Sequence, residues 1–129
     1  MRNFSLLVLL VVGFPPYGFA GQTARTSAPQ PVQLLPGLGN HHHPIATKNP
    51  EAQRFFDQGL ALAWAFNRAE AARSFRRAAE LDPSAAMPWW GVSLSLGRHM
   101  NMDLDQDVDA AGAFAAIEKA RSLMASASM

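Results

Sequence analysis

The stretch "AQRFFDQGLALAWAFNRAEAARSFRRAAELDP", Ala52 to Pro83, decides the fold. Its second half reads as an amphipathic helix with a stop signal. Small residues nevertheless stand where a packed helix more often carries leucine, at Ala71 and Ala78, with one large ring between them at Phe75. Ala71 and Phe75 are four apart and Phe75 and Ala78 three apart, so all three share one helical stripe built for close approach. What approaches it lies upstream. Ala52, Phe55, Phe56, Gly59, Leu60, Leu62, Ala63 and Phe66 recur at helical spacing and predict an amphipathic helix over residues 51 to 66. Asn49 is a good N-cap for it, and Pro50 has the fixed φ suited to the first helical position. Asn67 with Glu70 makes a capping box for a second helix, Arg68 to about Leu81. A turn this short makes the two helices antiparallel neighbours, so the small-residue stripe faces Phe55, Gly59 and Leu62.

Downstream, "DPS" closes the hairpin and predicts a third helix with Asp82 or Ser84 as its cap. Its apolar residues run through Trp89, Val92, Leu94 and Leu96 to Gly97, and Pro88 favours the later start at Ser84. A fourth helix is expected from Val108 to about Ala125, with Ala113, Phe114, Ile117 and Ala120 on its apolar side and Asp107 and Asp109 at its positive end. The fold class is therefore all-α, built of antiparallel helix hairpins.

Counted from Ala52 in a 34-residue frame, Phe55 takes the fourth place, Gly59 the eighth, Leu62 the eleventh, Ala71 the twentieth, Phe75 the twenty-fourth, Ala78 the twenty-seventh and Pro83 the thirty-second. This pattern closely resembles the tetratricopeptide repeat, W-x2-L-G-x2-Y then A-x3-F then P, with Phe55, Gln58 and Leu62 departing from it at the fourth, seventh and eleventh places. Only Gln58 goes against the packing logic. A second, degenerate unit starts at Ala86, with Trp89 at its fourth place, Ser93 at its eighth, and Ala113, Ile117 and Ala120 repeating the spacing of Ala71, Phe75 and Ala78 after an over-long link. The domains so read are a signal peptide over 1–20, a flexible leader over 21–48, repeats over 49–85 and 86–125, and a tail over 126–129.

The resemblance implies that the hairpins stack as a short α-solenoid, a helical-repeat module that binds a protein or peptide and has no catalysis of its own. In such a stack the first helix of each unit lines a concave groove. The corresponding positions are Gln53, Phe56, Leu60, Ala63 and Trp64, then Met87, Trp90, Leu94, Gly97 and Arg98. Phe56, Trp64 and Trp90 are then anchors and Arg98 a carboxylate holder. The competing expectation is that these rings pack against the leader or a further repeat. The resemblance also makes Phe55, Gly59, Leu62, Ala71, Phe75, Ala78 and Pro83 the packing set, and a leucine at Gly59 is expected to be driven into Ala71. Segments such as "HHHPIAT" and "RHMNMD" look like stretches of longer exported bacterial repeat proteins. Two repeats without a clear cap fall short of the three that solenoids usually need, which is the pattern of a fragment and leaves self-association through uncapped ends open.

The N-terminus, "MRNFSLLVLLVVGF", has one positive charge and an apolar run too short for the roughly 20 residues of a bilayer span, ended by Pro15 and Pro16. Gly18 and Ala20 are spaced for cleavage before Gly21, so the chain is expected to be exported, periplasmic or extracellular, with no stable membrane span after cleavage. Loss of Arg2 with the signal brings eleven basic residues to ten, against ten acidic. That balance excludes nucleic-acid binding by bulk charge. Arg73, Arg76 and Arg77 form a solvated face with i,i+4 pairs such as Arg76 with Glu80. There is no cysteine, hence no disulfide staple in an exported chain.

Two clusters invite a metal. His41, His42 and His43, with the distant His99, are imidazole ligands in principle, but three adjacent histidines on an extended segment cannot all reach one ion without strain. Asp103, Asp105, Asp107 and Asp109 alternate as in a calcium loop, yet Val108 stands where Gly is needed and Phe114 where Glu is needed. No nucleophile has a base beside it. The expectation is therefore no enzyme and no cofactor; the alternative is a metal-dependent domain using both clusters.

Overall fold

A computed structural model describes residues 30–99, 101–102 and 108–127; the expected signal peptide, the leader before Gln30, and Asp103, Asp105 and Asp107 lie outside these residues. Four helices follow in order, α1 (Pro50–Trp64), α2 (Arg68–Leu81), α3 (Ala86–Leu96) and α4 (Ala110–Ala127), with no strand among the described residues. Each packs against the next, and α1 also touches α3. The fold is all-α, built of adjacent helix pairs. None of the described helices is long and apolar enough to cross a membrane.

The first hairpin is closed at its base by Asn49. Its side-chain oxygen accepts from the N–H groups of Glu51 and Ala52 at 2.9 and 3.2 Å, while its amide donates to the carbonyl of Leu81 at 3.0 Å. One side chain thus caps the start of α1 and the end of α2. At the other end α1 stops sooner than predicted. Asn67 N–H reaches back to Leu62 O at 2.9 Å and Phe66 N–H to Ala63 O at 3.1 Å, a Schellman closure with Phe66 in the left-handed region at φ 60°. Phe66 is therefore off the helix, not on its apolar face. The capping box forms only in part: Asn67 accepts from Glu70 N–H at 3.4 Å, but Asn67 N–H is spent on Leu62 and Glu70 pairs with Arg73 at 2.8 Å. Arg77 with Glu80, one turn apart at 3.1 Å, replaces the expected Arg76–Glu80 pair.

The core is centred on Phe75, which is 0% exposed. Phe55, Gly59, Leu62, Ala71 and Ala78 are buried around it, while Pro83 is exposed in the turn. A Cβ added at Gly59 would come within 2.6 Å of the Phe75 ring, so the nearest approach to this glycine is that ring. A Cβ at Gly91 of α3 would lie 2.4 Å from the same ring. Phe75 is held between two glycines, one from each neighbouring helix. Phe56 meets it from the side, with ring centroids 5.4 Å apart and planes tilted by 56°.

The third helix has no side-chain cap: Ala85 occupies that place, and Pro88 falls in the first turn, where a missing N–H costs nothing. Asp82 and Ser84 are unavailable for the role expected of them. The Asp82 carboxylate accepts from the Ser84 hydroxyl at 2.6 Å, the Ser84 N–H at 3.1 Å and the Thr47 hydroxyl at 2.5 Å. The far end of α3 is held by Arg68, whose guanidinium donates to the carbonyls of Leu94 and Gly97, a cation set against the negative end of the helix. In α4, Asp109 caps the start by accepting from Gly112 N–H at 2.8 Å. Ala116 and Ala120 face inward, but Phe114 is 68% exposed rather than on the buried side.

These hydroxyl bonds, Ser84 foremost and then Thr47, hold the Asp82 carboxyl below its ordinary range. A lowered folded value means that the contribution is complete above the ordinary aspartate pKa and is lost as pH falls through the lower folded one. The melting midpoint is expected to fall on acidification below about pH 4, and Asp82→Asn should flatten that fall. An equally steep acid profile in the variant would assign the loss to other carboxylates.

Candidate partner-binding surface

Residues 31–48 contain no helix, but they are not the loose leader that composition suggests. They run back along α1 as a strap. Gln58, 5% exposed, accepts from Leu35 N–H at 2.7 Å and donates to Gln33 O at 2.9 Å and to the Ser74 hydroxyl at 3.0 Å. Gln53 accepts from Ile45 N–H at 3.0 Å and donates to His43 O at 2.8 Å. Between these two carboxamides Asp57 accepts from His43 N–H at 3.0 Å and meets His42 Nδ1 at 2.8 Å. Val32, Leu34, Leu38 and Ile45 pack against the core from above. Gly37 and Gly39, both at φ 83°, let the strap turn between its two points of attachment.

The groove positions divide accordingly. Gln53 is taken by the strap. Phe56 and Leu60 are buried, so neither is an accessible anchor; the Phe56 ring lies between Phe75 and His43, the latter centroid 6.1 Å away. Met87, Trp90 and Leu94 are half-buried, Trp90 and Met87 resting against the core, and Arg98 is exposed. Trp64 remains outward at 71% exposure. Beside it in sequence is Phe66, 63% exposed, whose ring faces His99 at 6.3 Å. The sequence reading missed Phe66 as a surface residue because its spacing fits the helix that stops just before it.

The histidines do not converge. His42 is engaged by Asp57, His43 lies on Phe56, and His99 lies on Phe66. Among the described residues no three His, Asp or Glu side chains come together in a way that could hold a metal ion. An apolar hollow of about 660 Å³ lies between the start of α3 and the end of α4, lined by Ala86, Met87, Leu123 and Met124 among others.

Fold and surface together define a class, an all-α protein of stacked helix hairpins with exposed rings at one end of its first hairpin. In comparisons with known proteins, no family model, curated protein or solved structure matches the chain.

Proposed function

We propose that the chain is an exported tetratricopeptide-like interaction module that holds a protein or peptide partner against Trp64, Phe66, Leu94 and Arg98, without catalysis. The observation that carries this reading is Phe66. A bulky side chain in the left-handed region costs roughly 1–2 kcal/mol relative to the allowed right-handed conformation, and glycine is the usual residue at this point of a Schellman closure. Here phenylalanine takes the strain and leaves its ring exposed, two residues along the chain from the exposed Trp64. A strained residue whose ring stands in solvent supports a role in contact. Aromatic rings are also the side chains that most often dominate interface energies.

Phe66→Gly is expected to raise the melting midpoint by a few degrees, and Trp64→Ala to leave it nearly unchanged. Both variants should lose capture of partners from an extract of exported proteins. A fall in stability with either variant would place its ring in the fold instead, and the binding surface would have to be sought elsewhere.

Export rests on the apolar run and the small residues before Gly21. Mass spectrometry of the mature product should find a start near Gly21 outside the cytoplasm. A product retaining Met1 would overturn cleavage.

A further inference from the structure

We propose that the stripe Gln53, Asp57 and Gln58 on α1 is a binding site for the main chain of an extended peptide, occupied in cis by residues 33–45 and open to a peptide in trans once that strap is released.

The polar contacts go mostly to backbone, the exception being His42 Nδ1 on Asp57. Gln58 binds one N–H and one C=O of the strap, at Leu35 and Gln33; Gln53 binds another such pair, at Ile45 and His43; Asp57 adds a bond from His43 N–H. A carboxamide offers one acceptor and two donors, so it can satisfy both polar groups of an extended segment without reading its side chains. The Gln58 carboxamide is also aimed, since Ser74, itself bonded to Glu70 O at 3.0 Å, accepts its second N–H. A buried glutamine costs stability unless such bonds are made, so this position is organised around an extended chain.

The strap is seated without being close-packed. A hollow of about 310 Å³ lies beneath it, lined by Leu34, Leu38, His42, Arg54 and Asp57 among others. Leu35 and the three histidines are exposed. Only three residues, 46–48, separate Ile45 from the cap residue Asn49. A tether that short holds the strap at an effective concentration of about 1 mM, so a trans peptide with a Kd of about 10 μM would bind the intact chain roughly a hundredfold more weakly.

The test uses the full chain carrying Leu34→Asp and Leu38→Asp, which removes two of the four apolar side chains that hold the strap and leaves the sequence of α1 unchanged. Binding of a fluorescent synthetic peptide of residues 31–47 is followed by anisotropy. The variant is expected to bind it about a hundredfold more tightly than the unaltered chain, and the peptide should raise the variant's melting midpoint. Replacing Leu35 and His41 by alanine in the peptide should change affinity by no more than a few fold. N-methylation at the Leu35 and Ile45 nitrogens, which removes the two N–H donors, should weaken it at least tenfold. Adding Gln53→Ala and Gln58→Ala to the variant should do the same. Trp64→Ala should not, which separates this site from the surface proposed above. Equal binding to both chains, indifference to N-methylation, or a variant whose melting midpoint the peptide does not raise would each overturn the proposal.

Discussion

Phe75→Ala is expected to lower the stability of the fold by about 3–5 kcal/mol, the range for a fully buried aromatic side chain truncated to a methyl group. The ring is 0% exposed and is approached by α1 at Gly59, by α3 at Gly91 and by the tilted ring of Phe56. Helix backbones cannot close in on the void, because each is tied elsewhere. Asn49 joins the base of the first hairpin, and Arg68 joins α2 to the end of α3. The cavity term therefore adds to the lost transfer energy. A fold of this size has only about 5–15 kcal/mol to lose, so denaturant titration should show a large drop in midpoint and helical signal already incomplete at physiological temperature. A loss under about 1 kcal/mol would mean that the two hairpins do not depend on this ring.

The second large effect is at Gly91. Alanine is normally better than glycine inside a helix by about 1 kcal/mol. At Gly91 the sign should reverse: the new methyl would sit 2.4 Å from Phe75, against ring atoms with no room to retreat. Gly91→Ala is expected to cost about 1–3 kcal/mol and Gly91→Leu more, with Gly59→Ala behaving in the same way against the opposite face of the ring. The decisive measurement is a double-mutant cycle. In the Phe75→Ala background the space is free, so Gly91→Ala should become neutral or stabilising, leaving a coupling energy above about 1 kcal/mol. Additive effects would show that the two residues do not meet.

How this core came to be legible can be traced residue by residue. The stripe Ala71, Phe75 and Ala78 and the helix bearing Phe55, Gly59 and Leu62 belong to one short hairpin, and helical periodicity with a three-residue turn is enough to place them face to face. Gly91 was not legible in that way. It stands at the sixth place of its unit, while the repeat frame pointed to Ser93, and only the depth and angle at which α3 crosses α2 decide which residue meets the ring. The same limit explains Phe114, assigned inward by its spacing but 68% exposed, because the neighbour of a helix face is set by packing and not by period.

Gln58 shows the reverse case. It was visible in the sequence as a departure from the repeat pattern at a place that packing wants apolar, and nothing nearby in sequence accounts for it. Its partners are Gln33, Leu35 and Ser74, between 16 and 25 residues away. A polar residue at an apolar place is a sign that something must come to satisfy it, but periodicity carries no information on what. Phe56 and Trp64 make the same point in the candidate site. Both occupy groove places in the repeat frame, yet one is sealed between Phe75 and His43 and the other stands in solvent.

The sequence by itself determined the helices, their caps at Asn49 and Asn67, the antiparallel pairing of α1 with α2, and the all-α class, because each depends on interactions within a few residues or on a short turn. Tertiary structure alone decided that an irregular segment becomes a strap on α1 and that Phe75 is clasped by a glycine from each side. Those outcomes depend on where distant backbone polar groups and ring faces meet, and the free energy of such meetings is a property of the packed chain, not of any local stretch of it.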